Sequence, residues 1–166
     1  MAQTLFVPNL AQQIPAFDTD LIREGFIEAL EETADDIQED FDAITATWEV
    51  APLFEFIIDV DGPGDLVLLY GSDDPLWNWL NEGTAGPYLI FPTNQEALAY
   101  QKDFSPKTQP GFIGSTFGGK SGDWIVRTVV EHPGIEPRDW ETEIFDKHIG
   151  ALDRRIRQVL LDPSRR

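Results

Sequence analysis

Between Asp18 and Thr47, Ile22, Phe26, Leu30, Thr33, Ile37, Phe41 and Ile44 fall at steps of three or four. That spacing puts them on one face of an α-helix over 18–47, with Asp18 or Thr19 placed to cap it. Glu24, Glu28, Glu31, Glu32, Asp35, Asp36, Glu39 and Asp40 fill the rest of the helix surface. Some of these acids stand four apart and repel, which weakens an isolated helix. The apolar stripe must therefore be buried for the helix to hold. Ahead of it, residues 1–17 read as an extended arm. Pro8 and Pro15 interrupt it, and Leu5, Phe6, Val7 and Leu10 dot it, as in an arm that docks on a neighbouring subunit or in a terminus that frays.

After the helix the pattern changes. WEVAPLFEFIIDV (48–60) is rich in β-branched and aromatic residues, DGPGD (61–65) is a turn, and LVLLYG (66–71) is a second strand, so a hairpin is expected. Pro52 cannot donate to a ladder and marks an edge or bulge. In PLWNWLNEGT (75–84), Asp74 caps a short helix and Pro75 suits its first position. Leu76, Trp77 and Leu80 are expected to pack under the sheet, and Gly83 to end the helix in a left-handed conformation. YLIFP (88–92), ALAYQ (97–101) and WIVRTVVEHPG (124–134) read as strands, with residues 102–122 a long Gly/Pro-rich loop between them. Asp139 is placed to cap a last helix running to 161. Its stripe is Trp140, Ile144, Ile149, Leu152, Ile156, Val159 and Leu160. Glu141 and Glu143 at its start, and Arg154, Arg155 and Arg157 near its end, suit the helix dipole. The expected fold is α+β in one domain, 1–166: arm 1–17, acidic helix 18–47, a small mostly antiparallel sheet over 48–134, and a C-terminal helix 139–161.

Charge sharpens this picture. Residues 1–50 carry twelve acids and one base, Arg23. Residues 51–100 carry eight acids and no base, and residues 101–166 carry ten acids and eleven bases. A protein that grips nucleic acid needs Lys and Arg to neutralise phosphates. The first hundred residues would instead repel DNA. No stretch approaches the roughly 20 apolar residues of a membrane span, the N-terminus lacks a signal-peptide pattern, and there is no cysteine.

Two motifs invite chemistry and then fail their context. GSTFGGKSG (114–122) fits the phosphate-loop spacing through Gly114, Gly119, Lys120 and Ser121. A phosphate loop needs a buried strand before it and a helix after it. Here a proline-rich loop precedes and the strand-like GDWIVRTVVEHPG follows, so neither ATP nor GTP is expected to bind. Asp59, Asp61 and Asp65 sit at calcium-loop spacing. The fifth and twelfth places hold Pro63 and Tyr70, which cannot serve as the side-chain ligands such a loop needs. His132 and His148 are the only histidines, and no nucleophile is placed near either. No catalytic residue, metal or cofactor is expected.

The order of the remaining motifs resembles the minor tail components of long-tailed bacteriophages, also called tail-completion or neck proteins. WNWLNEGT (77–84) resembles that family's aromatic-x-Trp-x-x-Glu-Gly-Thr stretch, carried here by Trp77, Trp79, Glu82, Gly83 and Thr84. LIFP, ending at Pro92, and ALAYQ (97–101) follow in the family's order. After a variable loop, VVEHPG carries its His132, Pro133 and Gly134, and a C-terminal helix closes the chain. The likeness runs from about Thr45 to the end. The chain departs from many members in carrying acids on the first helix, and Ala85, Gly86 and Pro87 after Thr84.

The resemblance implies an α+β subunit of a homo-oligomeric ring in the virion neck, assembled in the host cytoplasm. It would lie between a head connector or stopper and tail terminator or tube proteins, and DNA would pass without specific binding or membrane contact. Glu28, Glu32, Asp35 and Glu39 would then face the channel. A stopper or terminator subunit is the alternative within this class. An acidic DNA-mimic inhibitor is the alternative outside it.

Overall fold

In the computed structural model the described residues are 3–7, 19–61 and 65–162. Strands β1 (Gln3–Val7), β2 (Glu55–Asp61), β3 (Asp65–Gly71), β4 (Tyr88–Ile90), β5 (Leu98–Ser105), β6 (Gly119–Arg127) and β7 (Val130–His132) accompany helices α1 (Thr19–Thr45), α2 (Pro75–Glu82) and α3 (Trp140–Leu161). The fold is α+β, and every strand pair is antiparallel. The chain divides into two compact units: Met1–Asp42, Leu53–Asp73 and Glu141–Arg166 form the first, and Ala43–Pro52 with Asp74–Trp140 the second.

The first unit holds the order β1-β3-β2. Arm residues 3–7 pair with β3 of their own chain, Leu5 opposite Leu68. The backbone of this part of the arm is therefore used within the subunit. Residues 8–17 of the arm, and the proposed cap Asp18, lie outside the described residues. All seven stripe residues of α1 are at most 4% exposed. Burying an Ile, Leu or Phe contributes about 1.5–3 kcal/mol, against a few tenths for each repelling acid pair, so packing decides that α1 forms. Phe41 stacks on Phe54 with ring centroids 4.2 Å apart and packs against Phe56 and Tyr70 of the sheet. Gly25 draws α3 close, since a Cβ there would stand 2.6 Å from Val159 Cγ1.

The second unit holds two ribbons, β4-β7 and β5-β6. Here the expected boundaries move. β5 runs on to Ser105 and β6 begins at Gly119, so the loop shrinks from 102–122 to 106–118. The pairs Asp103–Ser121, Phe104–Lys120 and Ser105–Gly119 extend the hairpin past an irregularity after Gln101. Gly122, with φ 80°, supplies a backbone conformation there that other residues rarely adopt. The single strand expected over 124–134 is two, because β6 pairs with β5 while β7 pairs with β4. Upstream, β2 starts at Glu55 rather than Trp48, three residues after Pro52.

Candidate functional site

The family-like motifs meet in the second unit. Asp74 caps α2, its Oδ1 accepting from the amides of Leu76 (2.8 Å) and Trp77 (3.2 Å), with Pro75 following as the first helical residue. Gly83 ends the helix with φ 75° and ψ 179°. That is a glycine-only region rather than the left-handed helical one expected. Thr84 and Ile135 then exchange backbone hydrogen bonds of 2.9 and 3.3 Å, and the Ile135 amide also donates to Thr84 Oγ1 at 3.0 Å.

Close approach explains the glycines. A Cβ on Gly83 would stand 2.6 Å from the Ile135 carbonyl oxygen, and one on Gly134 would stand 2.6 Å from that of Thr84. Gly134 has φ 98°. The amides of Arg138 and Asp139 donate to the Leu80 and Asn81 carbonyls at 3.0–3.2 Å, satisfying the open end of α2. The Glu-Gly-Thr and His-Pro-Gly turns thus fasten to each other through backbone. Asp139 precedes α3 with φ 54°, not the extended conformation of a capping residue.

Trp77 is fully buried and stacks on Trp140 at 4.9 Å, and Trp48 stands 6.4 Å from both. Trp77 therefore packs in an aromatic trio. Leu76, expected to be buried, is exposed, as is Trp79. His132 stacks on Tyr88 at 5.0 Å and its Nδ1 accepts from the Gly134 amide, which leaves Nε2 to carry the hydrogen of the neutral ring. Pro92 is half-buried, while Pro133 and Glu82 are exposed. These contacts hold a scaffold.

The phosphate-loop sequence is divided between loop and strand. Thr116 donates through its amide to the Lys107 carbonyl (2.6 Å) and through Oγ1 to that of Pro106 (3.1 Å). Lys107 Nζ donates to the Thr47 carbonyl. Lys120 and Ser121 lie on β6, and the chain continues as strand to Arg127. The stretch thus lacks the helix whose N-terminus would receive phosphates.

In the first unit, Glu28, Glu32, Asp35 and Glu39 are all exposed on α1. At 3.6 residues per turn they fall within about 60° of helix circumference. They share one face, but Glu32 has a partner on it. Arg155 Nε pairs with Glu32 Oε2 at 2.9 Å, while Nη2 donates to Asp36 Oδ2 (2.8 Å) and Nη1 to Thr33 Oγ1 (2.9 Å). A turn further along, Lys147 Nζ reaches both Asp40 oxygens at 2.7 Å, and His148 Nε2 donates to Asp40 Oδ2 at 2.7 Å. His148 Nδ1 stands 3.9 Å from Asp36 Oδ2.

Reading from sequence missed this charged seam. Ile149, expected in the buried stripe of α3, is exposed, whereas His148 is buried. The signal was present: His148 is four residues after Ile144 and four before Leu152. The Arg residues of α3 also lie before its last turn, which contains no base. Arg155 therefore acts through paired carboxylates rather than at the helix end. Among the described residues no His, Cys, Asp and Glu group could hold a metal, and no helix is long and apolar enough to cross a membrane.

No protein-family model, curated protein or solved structure matches the chain.

Proposed function

We propose that the chain is a neck subunit of a tailed bacteriophage, a tail-completion protein that assembles as a ring around the DNA path and joins the tail to the head connector. The observation that carries this reading is the exposed acidic stripe of α1. Glu31, Asp35 and Glu39 present carboxylates along a helix whose opposite face is committed to the core. Such a surface offers DNA no phosphate-neutralising contact, so a passing duplex adds no counterion-release affinity. The motif order from Thr45 onward supports the same reading, and the interlocked Glu-Gly-Thr and His-Pro-Gly turns give those motifs a structural reason to occur together.

An acidic DNA mimic would use the same stripe, but it would compete with DNA for a binding enzyme and needs no ring. A deletion phage tests the two. The neck reading expects DNA-filled heads and separate tails that do not join, with joining restored by the wild-type chain. Joined, infectious particles from the deletion phage, or purified virions lacking the protein, would refute it.

A further inference from the structure

A groove of about 440 Å³ runs between the N-terminal half of α1 and the end of α3. Gly25, Ala29, Val159 and Leu161 give it apolar lining. Glu28 and Asp162 also line it, together with the Glu32–Arg155 pair, whose guanidinium is already engaged by two carboxylates and a hydroxyl. The groove is thus apolar inside and negative in balance. Its chemistry suits an aromatic ring carried beside an ammonium group.

The same chain presents that combination where the loop 106–118 enters β6. Phe117 is fully exposed, at 103% of its reference area, and Lys120 three residues later is exposed as well. The residue before Phe117 is tied down by the two Thr116 hydrogen bonds. Gly118 fits tightly against the Ser105 and Pro106 carbonyls, where a Cβ would clash. Phe117 is therefore held out from a fixed base, so little ordering entropy opposes its docking.

We propose that Phe117 of one copy enters the α1–α3 groove of a second copy, with Lys120 beside Glu28 and Asp162. Burying a phenylalanine side chain contributes about 1.5–3 kcal/mol, and the charges set its orientation. The two surfaces differ, so the contact is head-to-tail. It propagates into a closed ring where the rotation closes. A single loop buries less than the roughly 1,200 Å² of a stable interface, so free chains associate weakly and ring closure strengthens the contact. This gives the GSTFGGKSG stretch a role that nucleotide binding does not.

The inference takes its setting from the ring reading, but its test reads the contact alone. The chain has no cysteine, so introduced thiols report one pairing. Full-length Ser115→Cys, which keeps Phe117, is mixed with full-length Glu28→Cys under a mild oxidant. It should form the mixed disulfide roughly tenfold faster than with Asp35→Cys, the advantage that local concentration confers. Adding Phe117→Ala should remove the difference, and adding Lys120→Glu should reduce it.

Equal rates at positions 28 and 35, an undiminished rate with Phe117→Ala, or a disulfide formed only within a doubly substituted chain would overturn the proposal. Selective cross-linking alongside a deletion phage that still joins its tails would keep the contact and discard the neck role. Failed joining without selective cross-linking would do the reverse.

Discussion

Trp77 lies against Trp140 with ring centroids 4.9 Å apart and planes 28° from parallel, and neither ring is exposed. The pair joins α2 to the first residue of α3 within one core. Trp77→Ala should cost about 3–5 kcal/mol, the usual loss for a buried tryptophan. Trp79, two residues on, is 56% exposed, and Trp79→Ala should stay within about 0.5 kcal/mol of wild type. Urea unfolding of both variants checks the contrast. Equal losses would mean that exposure does not separate the two rings.

That contrast also marks how far the sequence could be read. The α1 stripe was legible in full because a 27-residue helix repeats its period many times. α2 spans only two turns, too few for periodicity to tell Trp77 from Leu76 or Trp79. The hairpin β5–β6 was half hidden, since Gly, Lys and Ser in GKSG do not look like strand and are held there by pairing with Asp103–Ser105. The seam between α1 and α3 was hidden for another reason: a rule that buries apolar residues passes over a histidine whose partner lies 108 positions away.

Asp40 and His148 form that seam's most buried contact, at 2.7 Å with side chains 12% and 10% exposed. Removing one partner leaves a buried polar atom of the other without this hydrogen bond, which costs on the order of 1–3 kcal/mol. Lys147 is half-exposed and can turn to water, so the loss for Asp40→Ala should lie at the lower end. His148→Ala should be comparable, and the double variant should lose clearly less than the sum, as contacting residues do. Strict additivity in denaturant titrations would show that the contact carries no coupling.

Tyr70 supplies a pH dependence of definite sign. Its hydroxyl is buried and donates to the Glu141 carbonyl at 3.4 Å. Burial, and then the negative charge of Glu141, raise its ionisation well above the usual phenol value. Between the unfolded and folded values the native state holds the proton that the unfolded chain releases. Stability is therefore complete below about pH 10 and falls as pH rises beyond it. Thermal melts should show the decline above that point. Tyr70→Phe, which cannot ionise, should flatten it, and an unchanged slope would remove Tyr70 as the cause.

The acidic face of α1 gives the functional prediction. Glu31, Asp35 and Glu39 are exposed and follow one another at four-residue steps. Replacing all three by Lys spares Glu32, which holds Arg155, and spares Glu28 in the groove. The fold should survive, since each site lies off the buried stripe. The variant should gain DNA binding that weakens with salt, with a slope of log K against log salt no steeper than about −0.9 for each lysine that reaches a phosphate. Virions carrying it should eject DNA more slowly, while those carrying Glu31→Gln, Asp35→Asn and Glu39→Gln should resemble wild type more closely. Ejection at the normal rate by particles that contain the lysine variant would place α1 away from the channel. The joining role, tested separately by the deletion phage, would still stand, because a ring can join head to tail whichever helix lines its lumen.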